Sequence, residues 1–230
     1  LSTDLGIPPD SIRSKSALGA AYIAYTAILN QRAIANRQLE DARNARSLSE
    51  ERKRLATRGI LPFAFWMIHE FNRNCCENAI RLRNIHNTIP AFNMSASDIP
   101  EVPELPPIHI LNALKDAIEF APNEIAPRIA EAMSLMQTNH AFCTHKFRYF
   151  KRNRHSVDTW KTLEEDLAEI VGRALDISCI VGKLFPYARG DDIDGFQAPN
   201  KGVFATIAMQ FGVWDDTWRL VKEHQDQYPL

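Results

Sequence analysis

The chain has 230 residues, 45% of them hydrophobic and 24% charged, with a formal net charge of −1. That length holds one large domain or two small ones, and the composition excludes a disordered or fibrous chain. The near-neutral balance excludes a global attraction to nucleic acid or anionic membrane, so any electrostatic partner must be met by a local patch.

Residues 1–11 read as a turn-rich start, with Gly6 and Pro8-Pro9-Asp10-Ser11, where Asp10 or Ser11 would cap the next helix. The chain opens on Leu1 rather than methionine, as a fragment of a longer protein would. From Ile12 to Arg58 there is no proline and one glycine, Gly19. Most of this run is Ala, Arg, Gln, Glu and Leu, which lose little side-chain entropy in a helix, and it predicts one long helix. Ser47 and Glu50 fit a capping box, so two helices meeting near residues 44–47 are the alternative.

Between Asn30 and Arg58 the large aliphatics are only Ile34, Leu39, Leu48 and Leu55. A long helix without an apolar face projects, pairs with a partner or connects two bodies. Upstream, Ser16 to Gln31 carries no charge and includes Tyr22, Ile23, Tyr25, Ile28 and Leu29. At ~1.5 Å per residue this stretch spans about 24 Å, short of a ~30 Å hydrocarbon core. The arginines that follow it suit the cytoplasmic flank of a membrane anchor. The competing reading is an Ala-rich helix packed on another helix.

Gly59 suits a helix C-terminus and Pro62 the first turn of the next helix. They divide the chain into a stalk, 1–59, and a helical domain, 60–230. The helix expected over 62–86 is apolar at Phe65, Ile68, Cys75 or Cys76, Ala79 and Leu82. Residues 87–107 hold Pro90, Pro100, Pro103, Pro106 and Pro107 with Asp98, Glu101 and Glu104, and form an extended acidic connector that wraps the surface or binds something. Helices follow at 107–120 and 123–139, the second continuing through Tyr149. The firmest amphipathic pattern runs from Val157 to Phe185, with Leu163, Leu167, Ile170, Ala174, Ile177, Val181 and Leu184 on one stripe. Pro186, Gly190 and Gly195 then predict a loop. A last helix, 203–225, would bury Val203, Ile207, Phe211, Trp214, Trp218 and Val221. No alternating pattern predicts a strand.

Motifs with chemical content are few. Cys75, Cys76, Cys143 and Cys179 fall in helical patterns, so they are expected as reduced thiols in a cytoplasmic protein. His69-Glu70 opens like a zinc-protease helix, but Arg73 stands where the second histidine belongs. His69 with Cys76 and His140 with Cys143 would make a tetrahedral metal set if the two helices faced each other, yet short-spaced loop cysteines are missing. A cysteine nucleophile with a histidine base lacks any group that lowers the thiol pKa. Gly190-Asp191-Asp192-Ile193-Asp194-Gly195 fails as a calcium loop at both end ligands and reads as an acidic turn. No catalytic residue, cofactor or metal follows from these patterns.

The densest basic patch comprises Lys146, Arg148, Tyr149, Lys151, Arg152 and Arg154. Cations interleaved with rings suit nucleic acid. The bland alternative buries Phe147 and Phe150 and leaves the cations in water.

The expected fold is all-α: a long N-terminal helix, stalk-like or coiled-coil-like, then a helical bundle. The expected function is non-enzymatic interaction or scaffolding. The N-terminal helix would self-associate, bind a protein partner or meet the inner face of a membrane. Nucleic-acid binding through residues 146–154 is the alternative, and an enzyme without a recognisable motif the third reading.

Overall fold

The computed structural model describes residues 9–89, 93–191, 196–213 and 218–229, with side chains from residue 22 onward. Of the described residues 80% are helical and none lies in a strand. The helices are α1 (Pro9–Thr88), α2 (Ile108–Phe120), α3 (Ala126–Asn153), α4 (Val157–Trp160), α5 (Leu163–Arg189), α6 (Lys201–Gln210) and α7 (Arg219–Gln225). The chain divides into two units between Arg52 and Lys53.

The first difference from the sequence reading is the length of α1. It starts at Pro9, takes in Ser47 without a break, and continues through Gly59 and Pro62. An internal proline removes a backbone hydrogen bond and crowds the preceding turn, at a cost of about 3 kcal/mol. Here both flanks are held. Arg58 Nε donates to the Tyr187 carbonyl at 2.7 Å and its guanidinium lies 4.7 Å from the Tyr187 ring. On the other flank Leu61, Ala64, Phe65 and Ile68 are buried. Large apolar side chains contribute about 1.5–3 kcal/mol each on burial, so their sum exceeds the proline's cost.

In the unit from Lys53 onward, α5 is the central element. It packs against α3, α6 and α7, while α2 and α4 lean on α3. The predicted stripe of Leu163, Leu167, Ile170, Ala174, Ile177, Val181 and Leu184 is buried, and Val171, Leu175 and Cys179 on the flanking faces are buried too. That surplus is what a helix covered on several sides needs. Later α1 residues complete the core, among them Phe71, Cys75, Cys76, Ala79 and Leu82.

The pattern from Val157 to Phe185 resolves into two helices, because Trp160 is used for stacking. Its ring lies 5.0 Å from His86 and 5.5 Å from Phe150, nearly parallel to both. Its Nε1 donates to the Arg154 carbonyl at 2.8 Å. Pro186 sits inside α5, not in a loop, and α5 ends at Gly190, whose φ of +102° is the left-handed cap that glycine adopts without strain. The predicted last helix is also split. Gly212, at φ +69°, closes the segment after α6, and α7 begins at Arg219. Trp214 lies outside the described residues, as does part of the acidic turn at Gly190–Gly195.

The connector wraps the surface. Met94, Ile99, Pro100, Pro103 and Pro106 are buried. Asn78 Nδ2 donates to the Glu101 carbonyl at 2.7 Å, and Lys151 pairs with the Glu101 carboxylate.

Candidate functional site

The first candidate is the early part of α1. From Tyr22 to Ala56 every residue except Thr26 is exposed. Tyr22 is 70% and Ile23 69% accessible, and Tyr25, Ile28 and Leu29 are likewise exposed. At ~100° per residue Tyr22, Tyr25, Ile28 and Leu29 fall within one arc of about 120°, and Ile23 stands about 100° to its side. The Thr26 hydroxyl between them turns onto its own helix. Thr26 Oγ1 donates to the carbonyls of Tyr22 at 3.1 Å and Ile23 at 2.9 Å, so this hydroxyl is spent within the helix. No helix among the described residues is long and apolar enough to cross a membrane.

The second candidate is the basic stretch of α3, which divides by partner. Phe147 and Phe150 are fully buried. Lys146 pairs with Asp166 at 2.5 Å and reaches over the Phe142 ring. Lys151 pairs with Glu101 of the connector. Arg154 turns back, donating from Nη1 to the Lys151 carbonyl at 2.9 Å at the end of α3. Arg148 and Arg152 are exposed and have no ion pair among the described residues.

Those two arginines share the outer face of α3 with residues that the predicted patch left out. A groove of about 560 Å³ is lined by His140, Thr144, His145, Arg148, Tyr149 and Arg152, with no acidic residue among its described lining. A second cleft of about 230 Å³ lies between α3 and the connector, bounded by Pro100, Glu101 and Val102 on one side and His140, Thr144, Arg148 and Lys151 on the other. His140, Thr144 and Arg148 line both. Thr144 Oγ1 is closed off from solvent and has no hydrogen-bond partner among the described residues. Burial, and then the Arg148 charge, hold the His140 imidazole below its ordinary pKa, so it is neutral at neutral pH. The sequence signal was a row at four-residue spacing, 140, 144, 148 and 152. That row starts upstream of the basic patch, which begins at Lys146.

That metal reading fails on geometry. No group of three or more His, Cys, Asp or Glu among the described residues is placed to hold a metal. His69 packs on the Phe211 ring at 4.9 Å and His140 on Phe71 at 6.2 Å. Cys75, Cys76, Cys143 and Cys179 are all free and buried. A hydrogen bond with Cys143 and then burial push the Cys75 thiol well up, and burial and then Cys143 do the same to Cys76.

A third cluster joins α5 to the C-terminal segment. His224 Nε2 lies 3.0 and 2.9 Å from the Asp176 carboxylate oxygens, and the Tyr228 hydroxyl donates to the same carboxylate. The Asp176 hydrogen bond raises the His224 pKa. An acid–histidine pair becomes catalytic when it activates a nucleophile. The thiol nearest Asp176, Cys179, is pushed up to about 12 by burial and is protonated at neutral pH. The cluster is a clasp: it ties α7 and Tyr228 to α5.

Comparison with protein-family models, with curated proteins and with solved structures finds no match to this chain.

Proposed function

We propose that the chain is a non-enzymatic interaction protein whose association surface is the early part of α1, centred on Tyr22, Ile23, Tyr25, Ile28 and Leu29. The observation that carries this reading is their joint exposure on consecutive turns. A contiguous exposed apolar patch marks an interaction site. The occupant is a protein helix. An amphipathic helix lying on a lipid surface backs its apolar face with a strongly charged, Lys/Arg-rich one, whereas Ser16 to Gln31 carries no charge, and Tyr22, Tyr25, Ile28 and Leu29 share one face of the kind that two helices bury between them. Ala24 and Ala27, both exposed, let a neighbouring backbone approach closely. Charges of both signs between Glu40 and Arg54, including the Arg46–Glu50 pair at 3.0 Å, suit helices aligned side by side. A second copy of the chain is the partner tested first.

Sedimentation equilibrium reads the outcome against the monomer mass of 26.1 kDa. Self-association is expected, with Ile23→Lys/Ile28→Lys returning the chain to monomer and leaving its helix content unchanged. A chain that stays monomeric at every concentration and co-pellets with phosphatidylserine vesicles transfers the surface to lipid. A monomer that ignores vesicles overturns self-association.

A further inference from the structure

We infer that the outer face of α3 is a phosphate-binding site, in which Arg148 and Arg152 hold the phosphate of a nucleotide unit and Tyr149 offers its ring to the base. It is independent of the α1 surface proposed above.

Three observations converge on this face. The first is the sorting of the cations. Lys146, Lys151 and Arg154 are committed to Asp166, to Glu101 and to the end of their own helix. Arg148 and Arg152, one turn apart on the same side, are committed to nothing described. Basic side chains on helix surfaces commonly find an acid three or four residues away, as Arg46, Arg73, Arg128, Arg173 and Arg219 do here. The positions four residues either side of Arg148 are Thr144 and Arg152, so the face is positive with no acid in register.

The second observation is concavity. The groove and the narrower cleft share His140, Thr144 and Arg148. The groove of about 560 Å³ runs along the side chains of α3 alone, and the connector walls the about 230 Å³ cleft beside it, where Glu101 is neutralised by Lys151. The third is the chemistry of the remaining lining. His140 is neutral and keeps an N–H to donate, and the His145 imidazole lines the same groove. Guanidinium forks and imidazole N–H groups are donors that phosphate oxygens accept from. The exposed Tyr149 ring beside both arginines gives a base a surface to stack on.

The row from His140 to Arg152 is about 18 Å long at ~1.5 Å per residue. The phosphate belongs either to a strand laid along that row or to a free nucleotide seated at Arg148, and both present the same group to the same side chains. The full chain is titrated with three probes at about 50 mM salt, where phosphate contacts are strongest: a fluorescent single-stranded oligonucleotide, ATP and pyrophosphate. Saturable binding is expected for the oligonucleotide or for ATP. Arg148→Gln and Arg152→Gln should each weaken it roughly tenfold, the scale of one lost charged hydrogen bond. Tyr149→Ala should weaken the base-bearing probe and leave pyrophosphate unchanged. Arg219→Gln, which removes an exposed cation on α7, should change nothing. Oligonucleotide binding that ATP does not compete assigns the phosphate to a strand; equal competition assigns it to a free nucleotide. Melting curves verify that each variant is folded, as expected for exposed positions. Absence of binding for all three probes, or binding that Arg219→Gln reduces as much as Arg148→Gln, overturns the site.

Discussion

Helix α1 contains two regions with the same backbone and opposite surroundings. Between Tyr22 and Ala56 its side chains are almost uniformly exposed, including Ile34, Leu39, Leu48 and Leu55. Between Leu61 and Leu82 it buries Phe65, Ile68, Phe71, Cys75 and Cys76 completely or nearly so. The later region is stabilised by the core it helps to build. The early region draws on intrinsic propensity, on local pairs such as Arg46–Glu50, on continuity with the anchored turns beyond it and, near its end, on Lys53 over the Phe120 ring. Helix propagation is favourable residue by residue once a nucleus exists, so the anchored region serves as that nucleus. Identical secondary structure therefore conceals a large difference in local stability.

Substitutions in the two regions test this difference most directly. Phe65→Ala should destabilise the bundle by about 3–5 kcal/mol, read as a lowered denaturation midpoint. A loss below ~0.5 kcal/mol would place Phe65 outside the core. Arg58→Gln acts at the junction, where the guanidinium bonds the carbonyls of Tyr187 and Asp191. The expected loss is about 1–3 kcal/mol, the scale of charged hydrogen bonds. Hydrogen exchange should also show Gly59 to Phe63 opening more readily. Unchanged exchange there would mean that the buried face alone carries α1 past Pro62.

The exposed early region and the bundle should also differ in their response to pH. In the bundle, Asp176 raises the pKa of His224, with Tyr228 and the Phe204 ring against the same pair. A raised folded pKa stabilises the fold fully below the ordinary histidine value of about 6.5, and the stabilisation is lost as pH rises through the folded value. His224→Gln should flatten that part of the stability profile. His69 and His140, lowered by burial, act in the opposite sense, so the wild-type minus variant difference is the quantity to measure. A variant profile parallel to wild type would remove the clasp from the stability account. The smallest effect is expected in the early region of α1: Leu39→Ala should shift stability by less than ~0.5 kcal/mol. A larger loss would show that this region is covered within the monomer.

The fold was legible where one signal decided the matter. The stripe from Leu163 to Leu184 has helical spacing, and helical spacing is what a bundle uses. Local punctuation misled where packing prevailed. Gly59 and Pro62 resemble a stop and a start, yet the helix continues through them between the contacts of Arg58 and Phe65. Trp160 looked like one more helical residue, and its place between His86 and Phe150 depends on elements remote in sequence. The candidate phosphate face was half legible. Arg148, Tyr149 and Arg152 stood out as basic and aromatic. The removal of Lys146, Lys151 and Arg154 from the free set required Asp166, Glu101 and the end of α3, which no local pattern supplies.

The stacked rings of His86, Trp160 and Phe150 have a spectroscopic consequence. They come from the end of α1, from α4 and from the end of α3. Near-parallel rings at this spacing, fixed by a hydrogen bond from the indole, give an asymmetric environment that near-ultraviolet dichroism records. Far-ultraviolet dichroism records total helix, most of which, in α1 above all, survives loosening of the core. The two signals should therefore part company under mild acid or low denaturant: the indole band fades first while the helical signal persists, the signature of a compact state that has lost fixed side-chain packing.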